Sequence, residues 1–242
     1  MPRSRKRLLR LLACTRTATA VLTTATRAAT TSDWRAVPEL LRRREVSTVF
    51  VEDAASLVDA DWAAAREASA EVVIDCGCDC CVESNHAVVA AALAEAFWED
   101  DASHAARAAP GFVALAQHFD GCLGAASDGG RVRVRATVAV GGRVTQPCPR
   151  LHTDDVVLRG LVVLEGAETV VAPSARLEID HLLPTWARSD APEVVSPPPG
   201  AACLMKGRRW PGLFAAAAAH RSPAQTDGRR VLVTLDRLCD VT

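Results

Sequence analysis

Two periodicities divide this chain of 242 residues. Up to about residue 126 the apolar positions mostly recur at three-and-four spacing, and beyond it they alternate or come in short runs between Gly and Pro turns. In residues 85–99, Val88, Val89, Ala92, Leu93, Ala96 and Phe97 fall on one helical face, with Asn85 placed to cap it. Residues 111–122 carry Phe112, Leu115, Ala116 and Phe119 in the same way and read as a second helix. Residues 38–45 read as a short helix opened by Pro38, whose fixed φ suits a first turn. The stretch 54–70 also reads as a helix. Residues 47–51 and 71–75 are rich in strand formers and read as short strands between these helices.

After the turn Ser127-Asp128-Gly129-Gly130 the pattern changes. Arg131-Val132-Arg133-Val134-Arg135 alternates strictly, as a half-exposed strand does, and Gly141-Gly142 breaks it. Further strands are expected at 156–164, 168–171, 201–205 and 230–236, with Pro197-Pro198-Pro199-Gly200 introducing the third. Helices first and short strands afterwards predict an α+β protein: a helical N-terminal part, 33–126, packed on a C-terminal antiparallel jelly-roll-like barrel, 127–242, together one domain.

Composition adds an address. Residues 1–32 hold seven Arg or Lys and no acid, the first being Asp33; an Arg-rich, hydroxyl-rich, acid-free start reads as an organellar transit peptide. Mitochondrion or chloroplast is the expected location, a cytoplasmic protein with a basic tail the alternative. The formal net charge of -1 gives no sign of a nucleic-acid partner, and no apolar run reaches the roughly 20 residues that span a bilayer, so no membrane association is expected. Nine cysteines in irregular spacing suggest reduced thiols rather than a disulfide framework.

Chemistry concentrates in two places. In Arg150-Leu151-His152-Thr153-Asp154, residues two apart share a strand face, so His152 and Asp154 project together. With His220 further on, they make the two-His, one-carboxylate set that holds non-haem Fe(II) and leaves positions open. The bland alternative is that His152 and Asp154 hydrogen-bond at a sheet end while His220 caps a loop. The second place is Cys76-Gly77-Cys78-Asp79-Cys80-Cys81, dense enough for a soft metal but too short to wrap four thiolates around one zinc, even with His86 nearby. A loop without metal is the preferred reading there. His104 and His118 read as packing or surface residues, Trp210 and Cys148 as core, and Lys206 as an anion ligand or a snorkelling side chain. Asp155 and Arg159 are expected on the face opposite His152.

Four segments then resemble one family. Cys148-Pro149-Arg150-Leu151-His152-Thr153-Asp154, Gly200 through Lys206-Gly207 to Trp210-Pro211-Gly212, His220-Arg221-Ser222-Pro223 and Arg229-Arg230-Val231-Leu232-Val233-Thr234-Leu235-Asp236 resemble the domain-of-unknown-function family numbered 1826, over residues 130–238. That resemblance implies a metal connection, since the family tends to accompany zinc homeostasis genes. Where the family has an aromatic residue and then Gly-Pro-Gly-Thr-Glu-Trp, this chain has Val163 to Val171, and Gly200-Ala201 stands for Gly-Asp. The layout of the second half is also similar to that of Fe(II)/2-oxoglutarate oxygenases. This likeness implies Fe(II) and 2-oxoglutarate as cofactors, an unidentified substrate, and an Arg about ten residues past the distal His that pairs with the cosubstrate carboxylate. Arg229 and Arg230 both stand there, with Arg230 sharing its strand face with Thr234 and Asp236. The alternatives are a non-catalytic Zn(II)-binding protein using the same ligands, and a cupin-like scaffold without metal.

Overall fold

The alternating segments assemble into one large sheet whose two faces have different tasks. The computed structural model describes residues 27–77, 81–99, 101–123, 130–141, 151–173, 194–211, 217–223 and 228–238. In chain order its elements are β1 (Ala28–Thr31), α1 (Val37–Arg42), β2 (Thr48–Val51), β3 (Ala68–Asp75), α2 (Val82–Phe97), α3 (Ala102–Gly121), β4 (Arg131–Val140), β5 (Leu158–Glu165), β6 (Val170–Ala172), β7 (Ala202–Lys206), β8 (Ala219–Arg221) and β9 (Arg229–Leu238). Seven strands form a sheet in the order β1-β2-β7-β5-β9-β4-β3, and β6 and β8 pair as a separate ribbon. Among the described residues only the β1–β2 pairing is parallel.

The period of two sorts the side chains. On one face Leu158, Val162, Ala202, Leu204, Val231, Val233 and Leu235 join Val89, Leu93, Phe97, Phe112, Leu115 and Phe119 of α2 and α3 in the larger core. On the other, Phe50, Leu161, Val163, Cys203, Met205 and Leu232 pack against Val171 of β6 and Ala218 just before β8 in a smaller core. The architecture is therefore α+β, with helices covering the outer face of a mostly antiparallel sheet. The ribbon covers the inner face, and the two sheets enclose a jelly-roll-like interior. Toward β4 and β3 that inner face turns polar, and there the apolar packing gives way to a cavity lined by Ser69, Arg135, Thr137 and Thr234.

Several expectations need revision. The N-terminal half is not merely helical: β2 pairs with β7 and β3 with β4, so both halves build the same sheet. Strand β1 lies inside the acid-free stretch 1–32, and its four residues pair with β2. The helix expected at 54–70 reduces to a 3-10 turn, Ala54–Leu57, with β3 starting at Ala68. Alanine content is a weak preference, and tertiary pairing overrides it here. Arg229 donates to the carbonyls of Ala65 and Ala63, at 2.6 and 3.2 Å, while Trp62 and Ala65 are buried, which fixes this segment in an irregular path. Asn85 is not a cap. Helix α2 starts three residues earlier at Val82, and buried Asn85 donates its side-chain N–H to the Asp75 carbonyl at 2.8 Å, tying α2 to the end of β3.

Helix α3 begins nine residues before the expected segment. Its cap is Asp101, whose carboxylate accepts from the Ser103 N–H at 2.9 Å. It runs through Pro110, and a Cβ at the following Gly111 would come within 2.1 Å of the Leu57 carbonyl oxygen, so glycine alone permits the contact with the 3-10 turn. No helix among the described residues is long and apolar enough to cross a membrane.

Candidate metal centre

Backbone pairing brings the two histidines together. His152 and His220 are an isolated antiparallel bridge, the N–H of each donating to the carbonyl of the other at 3.0 and 2.9 Å. Residues paired this way present their side chains on the same face, and the rings stand 4.4 Å apart between centroids at 46°. Asp154, two residues along from His152, reaches both: Oδ1 lies 3.6 Å from His152 Nε2 and Oδ2 lies 3.4 Å from His220 Nε2. One potential ligand atom from each of the three falls within 4.8 Å of the others, the one such group among the described residues.

The donor set fits a cation. His220 Nδ1 and Asp154 Oδ2 are buried without a hydrogen-bond partner among the described residues, and unsatisfied buried polar atoms are uncommon in folded proteins. Burial, only partly opposed by the Asp154 carboxylate, pushes the His220 imidazole down to about 4. The ring is therefore neutral at physiological pH, the state that can ligate a metal. These three residues would hold a divalent metal ion, with a carboxylate charge and two neutral nitrogens as donors.

Arg159 links the triad to the sheet. Its Nε lies 3.3 Å from Asp154 Oδ2 and 2.6 Å from Asp236 Oδ1, so one guanidinium is shared between two carboxylates. Burial raises the Asp236 carboxyl above its usual range, with Arg159 pulling the other way. Asp155 and Arg159 do not share a face: Asp155 points outward and pairs with Arg208 and Arg209 at 3.4 and 3.0 Å. The face argument fails because β5 starts only at Leu158, and the irregular backbone before it does not carry the alternation through.

The triad forms part of the wall of a cavity of about 490 Å3. Arg230 lines it too. Arg230 is buried on β9, donating from Nε to the Ala167 carbonyl at 2.8 Å and from Nη2 to Thr169 Oγ1 at 3.0 Å. Burial holds its guanidinium below the usual range while Glu168 opposes that shift. Arg229, one residue earlier, reaches the Ala63 and Ala65 carbonyls instead. Of the two adjacent arginines, the cavity takes Arg230.

The remaining sequence candidates divide. Cys78, Cys80 and Cys148 lie outside the described residues. Cys76 is half-buried, and desolvation with the nearby Asp120 pushes its thiol up to about 12, which opposes thiolate ligation. Lys206 is buried, donates to the Arg43 carbonyl at 2.9 Å and sits 5.2 Å over the half-buried Trp210 ring. His104 stacks on Trp98 and His118 on Trp34, as packing residues. Sequence reasoning missed Arg135, Arg159 and Arg221 as cavity residues. The available signal was an arginine inside otherwise apolar β5 and the alternating arginines of β4.

Solved structures with a similar course of chain include the dioxygenase for auxin oxidation of rice, at 15% identity and a TM-score of 0.45, over 69% of this chain and 55% of that one. This chain thus spans about half the length of the rice protein. A bsmA homologue from Methylobium petroleophilum PM1 is similar at 13% identity and a TM-score of 0.43, over 85% of this chain and 93% of that one. The dioxygenase for auxin oxidation 1 of Arabidopsis thaliana, solved with 2-oxoglutarate, is similar at 15% identity and a TM-score of 0.40, over 84% of this chain and 76% of that one. No curated protein matches the chain. The family model described as protein of unknown function (DUF1826) matches residues 40–236, which takes in the helical half as well as the four motifs, and the chain belongs to that family.

Proposed function

We propose that this protein is a non-haem Fe(II), 2-oxoglutarate-dependent oxygenase. The observation that carries the reading is the convergence of His152, Asp154 and His220 at a cavity that also contains Arg230. Two histidines and one carboxylate leave coordination positions open, which is the donor set of non-haem Fe(II) oxygenases. When bound, the metal supplies the one-electron chemistry that activates oxygen. Overall, 2-oxoglutarate and O2 become succinate and CO2, with the second oxygen atom inserted into a C–H bond of the substrate.

The protein's own side chains supply position and charge. Arg230 offers the cosubstrate a planar, permanently charged fork for its distal carboxylate, and the Thr169 hydroxyl and Ala167 carbonyl hold that fork in place. Arg159 fixes the orientation of Asp154 and offsets its charge against that of Asp236. Thr234 and Ser69 add hydroxyl partners at the polar wall of the cavity.

The same donors bind Zn(II), and a zinc-handling protein is the competing reading. A closed structural zinc site takes four protein ligands, whereas the group here has three among the described residues and opens on a cavity, which favours catalysis. The test is anaerobic loading of the full chain with Fe(II) and with Zn(II), followed by 2-oxoglutarate, beside Asp154→Ala and a His152→Ala, His220→Ala double variant. Fe(II) at about one equivalent, a visible spectrum perturbed by 2-oxoglutarate and succinate release on admitting O2, all lost in the variants, is the expected result. Zinc binding without any response to 2-oxoglutarate refutes the oxygenase.

A further inference from the structure

We propose that the molecule oxidised in this cavity is a monocarboxylate whose carboxylate is gripped by Arg221. The inference rests on the oxygenase reading and adds the substrate class.

Among the described residues four guanidiniums line the cavity: Arg135, Arg159, Arg221 and Arg230. Three have protein acceptors. Arg135 donates to Glu71 Oε2 from Nε at 3.0 Å and from Nη2 at 2.6 Å, Arg159 meets Asp154 and Asp236, and Arg230 holds Ala167 and Thr169. The Arg221 side chain has no hydrogen bond or ion pair among the described residues, and its Nε is buried without an acceptor among them. A buried N–H on a charged group is costly to leave unmet, so the position calls for an acceptor that arrives with a ligand.

Charge says which kind. Arg133 also pairs with Glu71, and Glu168 acts on Arg230, so among the described residues five guanidiniums stand against the four carboxylates Glu71, Asp154, Glu168 and Asp236, leaving one positive charge uncompensated. A divalent metal at the triad and the 2-oxoglutarate dianion cancel each other, so one further single negative charge restores balance. That favours a monocarboxylate over a phosphate dianion, and it disfavours an amine. The flat guanidinium fork matches a carboxylate through two parallel hydrogen bonds. Arg221 directly follows His220 on β8, which anchors the ligand beside a metal-binding residue, and Leu161 and Leu232 give the same cavity an apolar wall for a hydrocarbon body. The substrate class is an aliphatic or aromatic acid.

The experiment is equilibrium binding of hexanoate, benzoate and phenylacetate, each beside its primary amide, to the full chain. It is run metal-free and again with Zn(II) and saturating 2-oxoglutarate, for the parent, Arg221→Gln and Arg221→Lys. At least one acid is expected to bind the loaded protein about tenfold or more tightly than its amide, as a charge-assisted pair implies. The preference should vanish in the Gln variant and weaken in the Lys variant, which keeps the charge without the fork. Thermal midpoints of both variants report that the fold is intact. Amides binding as well as acids, no acid binding, or an acid preference surviving Arg221→Gln overturns the assignment. If 2-oxoglutarate binds and the acids do not, the monocarboxylate alone falls. If the acids bind through Arg221 while 2-oxoglutarate does not bind, the oxygenase reading falls and takes the substrate role with it.

Discussion

Arg230→Met is the most informative substitution, because it keeps the aliphatic length of the side chain and removes only the fork. In the protein without ligand it strands two acceptors, the Ala167 carbonyl and the Thr169 hydroxyl. The hydroxyl can rotate to another partner and a desolvated charge disappears, so the net loss of stability should be about 1–2 kcal/mol. The effect on 2-oxoglutarate should be larger. A hydrogen-bonded contact to a charged group contributes about 1.5–3 kcal/mol, equivalent to a rise in Kd of about 10- to 150-fold. Isothermal titration of Zn(II)-loaded protein, which turns nothing over, measures this directly. The decisive comparison is 2-oxobutyrate, which has the same keto-acid head and no distal carboxylate. Its affinity should be low in the parent protein and unchanged in Arg230→Met. Equal weakening of both ligands would refute the assignment, since it would mean that the substitution damages the site as a whole. An unchanged 2-oxoglutarate affinity would refute it equally.

Two further substitutions probe the framework. Gly207→Ala should lower stability by about 1–3 kcal/mol, because the new Cβ would sit 2.1 Å from the Val156 carbonyl oxygen, and overpacking a close backbone approach costs that much. Since the neighbouring Arg208 N–H holds the Asp154 carbonyl at 2.9 Å, metal affinity should fall with it; thermal unfolding and a metal titration check both, and unchanged values would contradict the predicted clash. Lys206 provides the pH prediction: burial, the largest cause, depresses its ammonium from 10.5 to about 8. The folded chain therefore binds fewer protons than the unfolded chain between those values, so this group adds stability as pH rises from about 8 to 10.5 and withdraws it as pH falls back through 8. Thiol ionisation in the unfolded chain opposes this trend, so the measurement is the difference in unfolding free energy between parent and Lys206→Met across that range. A difference that does not change with pH would refute the buried-ammonium account.

Periodicity along the chain was sufficient for what depends on near neighbours. The alternation in β9 already separated Val231, Val233 and Leu235 from Arg230, Thr234 and Asp236, and the sheet uses that separation, one set against the helices and the other toward the cavity. The His-x-Asp spacing already placed His152 and Asp154 side by side, and the three-and-four pattern located α2 and α3, though not their first turns. These features follow from backbone geometry within a few residues, which any reading of the chain can use.

What the fold alone decided depends on partners far away in sequence. Nothing near Ala28 announces β1, because four residues become a strand only when β2 lies alongside. The alanine-rich stretch after Ala54 has helix formers but loses its helix to β3 pairing and to the grip of Arg229 from the other end of the chain. Arg159 was assigned to the wrong face because the backbone before β5 leaves the strand path. His220 was named from the sequence as the third ligand, but only an antiparallel bridge sets it opposite His152, and Arg221 became a cavity residue only through the pairing of β8 with β6. Local sequence determines which way a side chain leaves its own strand, and the pairing of distant strands determines what it meets there.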